Sequence, residues 1–379
     1  MSEREAARLL ETDAEVAELA ATLAGEPLVA VDTEADSFHS YFTKVCLVQI
    51  STRTADYIID PLSASNLAPL APMLSDPSVI CVLHGSDYDL RILDRDHGLR
   101  ITGLFDTMVA ARLLGYQAFG LASLLKQHFD LDVSKAAQRA DWSRRPLTKE
   151  LLGYAAGDTH YLAALRDILH RELTEAGRLS WAVEEFALLE QIRHEPRDPD
   201  PDAYRKIKGS RELDRRGLAI LGELYQWRDR RAQALDRAPF RVMGNTTLLE
   251  LARRRPCQTK ELATIPGMPR SLSRAAGQEI LAALRAALAL PEEELPPRRK
   301  PSRGQRQDPD PTLPKLKKLR DQLAAEVSLD PGLVAPNALL ESLSRAGPKT
   351  QDQMLEVPGM RKWQATLLGT RFLNVLRDR

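Results

Sequence analysis

Cysteine is scarce in this chain: Cys46, Cys81 and Cys257 are the only three in 379 residues, and no CxxC pair occurs. That scarcity argues against a disulfide framework and a cysteine-bound zinc, and makes a reducing cytoplasm the expected setting. Long apolar runs are missing too. None reaches the roughly 18 residues of a membrane span, so no membrane partner is expected. The opening stretch MSEREAARLLETDAEVAELA is acidic and amphipathic, unlike a signal or transit peptide. No GxxxxGKS/T loop occurs, which disfavours a helicase role.

Net charge is absent as well, because 53 Lys+Arg balance 53 Asp+Glu. The balance hides an asymmetry. Residues 1–200 carry 19 Lys+Arg against 32 Asp+Glu, whereas residues 201–379 carry 34 against 21. Acidic sites gather divalent cations and basic surfaces gather phosphates. A division of labour is one reading, and two well-solvated halves is the other.

What is present is an ordinary globular composition, 43% hydrophobic and 28% charged, in a length that suits two or three domains. Two stretches break the pattern. EPRDPDPDAY (195–204) alternates proline with acid, and PEEELPPRRKPSRGQRQDPDP (291–311) is proline-rich, charged and nearly free of apolar residues. Domains are therefore expected at 1–198, 205–291 and 310–379, with a linker over 292–309.

The last two domains repeat each other. A shift of 92 residues superposes Arg228-Asp229 on Arg320-Asp321, Pro239 on Pro331, Asn245 on Asn337 and Pro266-Gly267-Met268 on Pro358-Gly359-Met360 without a gap. LAILGELYQWRDRRAQAL and TLLELARRRP have helical periodicity. SLSRAAGQEILAALRAAL follows the PGM turn with a serine available to cap it. The first domain mixes short strand-like runs (PLVAVDTE, VCLVQIST, DYIID, VICVLHG) with later helical patterns, ending in one long predicted helix, TKELLGYAAGDTHYLAALRDILHREL.

The chemistry gathers in that first domain. Asp32 and Glu34 close the apolar run Leu28–Val31, and strand alternation aims both at one face. Asp87 and Asp89 follow the buried run that ends at His84. Tyr154 and Asp158 are spaced to share one face of a helix. Carboxylates converging on one pocket repel, so they take up protons or hold cations. Hard divalent ions prefer such oxygen ligands, and two of them can manage both the attacking and leaving oxygens of a phosphoryl displacement.

VAVDTE, LHGSDYDLRIL and YAAGDTHYL, in that order, resemble the three motifs of the tyrosine-bearing branch of the DEDD 3′→5′ exonucleases. Over nearly the whole chain, with LFDT and ADWSRRPL added, the sequence resembles the ribonuclease D family. The duplicated modules resemble HRDC domains. The resemblance implies an α/β ribonuclease H-like exonuclease domain followed by two small all-α helical HRDC-like domains. It further implies a 3′-5′ exoribonuclease releasing nucleoside 5′-monophosphates from single-stranded RNA 3′ ends, including tRNA precursors, as a cytoplasmic monomer. Carried over by position, Asp32, Glu34, Asp89 and Asp158 are the expected ligands of two Mg²⁺ or Mn²⁺ ions. Asp89 is preferred to Asp87 because it lies five residues after His84. Asp32 is expected to bridge the ions, and Tyr154 to orient the attacking water rather than ionise, its ordinary pKa being near 10. Ala156-Gly157 stands where most relatives have Arg-Asp, a departure that leaves Tyr154 and Asp158 in place. No organic cofactor is expected.

Around these acids, His84 and His160 are expected to pack or hydrogen-bond rather than bind metal, and Gln49 to approach substrate. Arg228, Arg230, Arg231 and Arg253–Arg255 are candidate phosphate contacts, and Trp227 and Trp363 are either core or base-stacking residues. Two other functions stay open at this level: a DNA exonuclease of the same chemistry, and a non-catalytic RNA-binding protein with a retained nuclease fold.

Overall fold

A computed structural model describes residues 6–134, 136–196, 200–297 and 311–377. The expected linker 292–309 lies outside the described residues from 298 onward, as do residues 197–199 of the first proline-acid break. The described chain divides into two compact units. One gathers residues 6–35, 45–134, 136–194 and 311–377, and the other residues 36–44, 195–196 and 200–297.

In the first unit the chain runs β1 (Arg8–Leu10), α1 (Asp13–Leu23), β2 (Leu28–Ala35), β3 (Val45–Ser51), β4 (Asp56–Ile59), α2 (Ala71–Leu74) and β5 (Ile80–Leu83). It continues through α3 (Asp87–His97), β6 (Leu104–Asp106), α4 (Thr107–Leu114), α5 (Leu121–Phe129), α6 (Lys149–His160), α7 (Leu162–Glu175) and α8 (Leu179–Leu189). The six strands form one mixed sheet in the order β1-β4-β3-β2-β5-β6. β2 is antiparallel to β3 and parallel to β5. Leu28–Val31 are buried in its centre, which is why they read as an unbroken apolar run rather than an alternating one.

The predicted helix over 148–173 is two helices. Tyr161 breaks the pattern (φ −99°, ψ −5°), and its ring packs 5.6 Å from Phe129 and 4.4 Å from His160. Asp158 therefore lies in the last turn of α6, while Leu162 and Leu165 belong to α7.

The second unit holds α9 (Arg215–Ala234), α10 (Pro239–Val242), α11 (Asn245–Arg254), α12 (Thr259–Leu262) and α13 (Arg270–Ala289). The same five helices return in the first unit as α14 (Thr312–Glu326), α15 (Pro331–Val334), α16 (Asn337–Ala346), α17 (Gln351–Leu355) and α18 (Lys362–Arg377). The 92-residue shift extends to the wiring. Arg228 donates to Met243 O (2.9 Å) and Asn245 Oδ1 (2.8 Å), and Arg320 donates to Ala335 O (3.2 Å) and Asn337 Oδ1 (2.9 Å). Gly267 and Gly359 both take positive φ in the PGM turn, the conformation glycine adopts without a Cβ penalty. The expected serine cap of α13 is not used. That helix begins at Arg270 after Pro269, with no side-chain cap.

The second module is fastened to α8. Trp363 stacks on Trp181 at 4.8 Å, and its indole N–H donates to Glu185 Oε1 (2.8 Å). Glu184 accepts from the backbone N–H groups of Lys362 and Trp363 (2.7 and 3.1 Å), placing a carboxylate at the positive end of α18. Arg361 pairs with Glu185 at 3.2 Å. Trp363 is thus core rather than a base-stacking residue, and so is Trp227, which is buried and bonded to Glu279. Trp363→Ala is expected to destabilise the first unit by about 3–5 kcal/mol, the usual cost of truncating a buried large aromatic. Unchanged urea midpoints for that variant would contradict this packing.

Candidate active site

β2 loses its β5 neighbour after Ala30, while β3 stays paired through Ala35 with a register slip between Glu34 and Ala35. The bulge skips Cys46 on β3, and bulges of this kind re-aim side chains at the ends of strands. Asp32 and Glu34 therefore stand where the sheet opens on one side. α6 packs across β2, β3 and β4 and brings Asp158 to them: single carboxylate oxygens of Asp32, Glu34 and Asp158 lie within 4.8 Å of one another.

Asp89 reaches the same strand from the other side. β5 ends at Leu83, and the chain turns through His84–Ser86 into α3. That turn is held by Asp106, whose carboxylate accepts from Gly85 N (3.1 Å), Ser86 N (2.8 Å) and Ser86 Oγ (2.8 Å) while capping α4 at Met108 N and Val109 N. Asp89, buried in the first turn of α3, accepts a short hydrogen bond from Thr33 Oγ1, the residue between Asp32 and Glu34. Asp87 instead faces outward in a two-bond pair with Arg91 (2.9 and 3.1 Å). Neither Thr33 nor Asp106 stood out in the sequence, although LFDT contains Asp106.

Burial and mutual repulsion set the electrostatics of these acids. Burial, then the charges of Asp89, Asp158 and Glu34, push Asp32 well above the ordinary carboxylate range. Burial and the neighbouring Asp158 and Asp89 push Glu34 to about 9. Burial raises Asp158 to about 7 and Asp89 to about 6, the Thr33 bond opposing the rise at Asp89. Beside Asp32, at the paired position on β3, Gln49 is fully buried with neither amide atom bonded to protein. Four carboxyls that cannot all ionise unaided, next to an unpaired amide, suit a hard divalent cation with its water.

Tyr154 is held above its ordinary pKa, first by burial and then by Asp158, Glu34 and Asp32, so it stays a phenol that can donate a hydrogen bond. Its ring lies 6.1 Å from buried Trp142. Arg145 secures that segment by bonding Asp60 (2.5 and 2.6 Å), Trp142 O (2.8 Å) and Cys46 O (3.0 Å). This is the structural work of the ADWSRRPL motif. Both histidines have protein partners: His84 Nδ1 lies 2.9 Å from Thr107 Oγ1, and His160 Nδ1 lies 2.6 Å from Asp56 Oδ2.

The candidate phosphate contacts fare unevenly. Arg228 is buried, its guanidinium engaged by Met243 O and Asn245. Arg231 pairs with Glu279 (3.9 Å), Arg253 with Glu212 (2.5 Å), Arg254 with Glu250 (2.9 Å) and Arg255 with Asp214 (2.5 Å). Much of this basic charge is spent on neighbours within the module.

A 3′-5′ exonuclease family model matches residues 7–174, and an HRDC domain model matches twice, over 217–284 and 312–376. The chain is 32% identical to a ribonuclease D of Gluconacetobacter diazotrophicus, across 98% of this chain and 92% of that protein. It is also 32% identical to a ribonuclease D of Pseudomonas paraeruginosa, across 97% and 96%. Among solved structures it is similar to Escherichia coli RNase D, an exoribonuclease involved in structured RNA processing, with a TM-score of 0.68, 27% identity and coverage of 98% and 99%. No described helix is long and apolar enough to cross a membrane.

Proposed function

The chain belongs to the ribonuclease D family of 3′-5′ exoribonucleases, and from that premise we propose that Asp32, Glu34, Asp89 and Asp158 hold two Mg²⁺ or Mn²⁺ ions for hydrolysis of the 3′-terminal phosphodiester. The observation that carries this reading is the approach of the Asp32, Glu34 and Asp158 carboxylates to within 4.8 Å. When bound, two such ions lower the pKa of the attacking water and stabilise the leaving oxygen. Asp32 and Glu34 fix the ligand set on a rigid central strand. Asp158 closes it from α6, and Thr33 holds Asp89 in orientation. Tyr154, kept protonated, orients the attacking water by donating a hydrogen bond, and each cycle releases a nucleoside 5′-monophosphate.

The substrates in this reading are single-stranded 3′ ends of stable RNA, tRNA precursors among them, processed in the cytoplasm by a monomer. The structured-RNA processing of the E. coli relative supports the substrate class, and three cysteines outside any disulfide fit a reducing compartment. We take 1–198 as the catalytic domain, and 205–291 and 310–379 as accessory domains.

Digestion of one RNA labelled at either end, with and without Mn²⁺, tests the reaction. The 5′ label should pass through a ladder of shortening products, while the 3′ label leaves at once as mononucleotide. Internal cuts, or equal rates in chelator, would refute it. A matched DNA strand read in the same assay measures sugar selectivity. Tyr154→Phe is expected to lower kcat about 10²-fold or more, in line with losing a positioned proton-handling group, with Mn²⁺ affinity retained. A wild-type rate would remove the orienting role.

A further inference from the structure

Five aromatic side chains are exposed among the described residues: Phe38, Phe42, Tyr88, Phe119 and Phe240. Three of them gather in the second unit. The segment 36–44, continuous in the chain with the end of β2, lies against the turn between α9 and α10. Phe38 meets Phe240 edge-on at 6.4 Å, and Phe42 meets Tyr41 at 5.1 Å.

The segment is strapped down firmly. Asp236, itself in a left-handed conformation (φ 43°), accepts from the backbone N–H of Tyr41 (3.0 Å) and Phe42 (2.9 Å). Asp229 accepts from Tyr41 Oη (3.1 Å), Ala238 N donates to His39 O (3.0 Å), and Arg241 Nε donates to Phe38 O (2.5 Å). All this bonding fixes the loop, yet it leaves Phe42 57%, Phe240 55% and Phe38 43% exposed. A rigid loop that turns three phenyl rings outward is a surface made for contact.

The charge beside the rings narrows the partner. Arg237 and Arg241 are exposed. Unlike Arg231 and Arg253–Arg255, they have no carboxylate partner among the described residues; Arg241 bonds only Phe38 O and His39. Cations not neutralised by a carboxylate, beside exposed rings, match a strand that alternates phosphates with flat bases. A protein partner would have to bring acids to the same rings.

We propose that Phe38, Phe42 and Phe240, flanked by Arg237 and Arg241, form a stacking platform for single-stranded RNA. The platform deepens the exonuclease reading and depends on it only for the choice of RNA as the strand. The rings take successive bases without regard to sequence, and the arginines take the intervening phosphates.

The test is anisotropy of the full chain with a 5′-fluorescein oligoadenylate of about 16 nucleotides, the upper size of a single-strand site. It is run in EDTA so that no hydrolysis is needed. Phe42→Ala/Phe240→Ala should weaken binding about tenfold or more, with the slope of log K against log salt unchanged. The Leu/Leu counterpart, which keeps apolar bulk but removes the rings, should lose as much. Arg237→Gln should lower that slope by about 0.7, the value of one phosphate contact on a single strand. Phe119→Ala, an exposed ring elsewhere, should bind as wild type.

Wild-type affinity in either double variant, with unaltered circular dichroism, overturns the platform. So does an equal loss from Phe119→Ala. Because binding is read without turnover, failure of the labelled-RNA digestion leaves this result interpretable, and the converse holds too.

Discussion

Asp158→Asn is expected to lower turnover about a thousandfold or more while raising the melting temperature of the metal-free protein. The loss follows from the role of the carboxylate: removing several kcal/mol of charge stabilisation costs tenfold for each 1.36 kcal/mol. The gain follows from the repulsion already present. Asp158 raises the pKa of both Asp32 and Glu34, so a neutral amide relieves them. Each kcal/mol of relief is worth about 2–4 °C in a domain of this size.

The same acids set a pH dependence with a definite sign. Their folded-state pKa values lie above those of the unfolded chain. In chelator the folded protein therefore keeps protons that the unfolded chain has released, and stability falls as pH rises from about 4 towards 9. Mn²⁺ replaces those protons, so the rise in melting temperature on adding it should grow across that interval. A metal effect that is flat with pH, or an Asp158→Asn variant no more stable than wild type in EDTA, would remove the repulsion argument.

Arg145→Ala is the second large effect, expected to cost about 3–5 kcal/mol and to slow turnover. Asp60 has a side chain only 1% exposed, and Arg145 is its ion-pair partner. Deleting one member of a buried pair strands the other's charge. The same guanidinium ties Trp142 O and Cys46 O, and Trp142 packs beside Tyr154, so the active site loosens with the loop. Replacing both partners, as Arg145→Met with Asp60→Leu, should recover most of the stability, because no charge is left unpaired. If Arg145→Ala alone unfolds at the wild-type urea concentration, the pair carries no such weight.

The residues legible in the sequence were those whose signal is local. β2 to β5 showed as apolar runs, and the shared face of Asp32 and Glu34 followed from alternation along one strand. β1 and β6 were missed because three residues each cannot establish a period. The break at Tyr161 was invisible because apolar spacing continues across it. Contacts distant in the chain left no trace at all. Trp363 finds Trp181, and Arg253 finds Glu212. Clustered arginines therefore looked available for phosphate when much of their charge was already engaged. The Phe38–Phe42–Phe240 patch escaped for the same reason, its loop being held by hydrogen bonds that Asp236 accepts and Arg241 donates.

The most direct measurement is manganese anomalous scattering from crystals of the full chain soaked in Mn²⁺. Two peaks enclosed by Asp32, Glu34, Asp89 and Asp158 are the expected result. Density for manganese elsewhere, with those four carboxylates bare in a protein that still degrades RNA in Mn²⁺, would contradict the assignment.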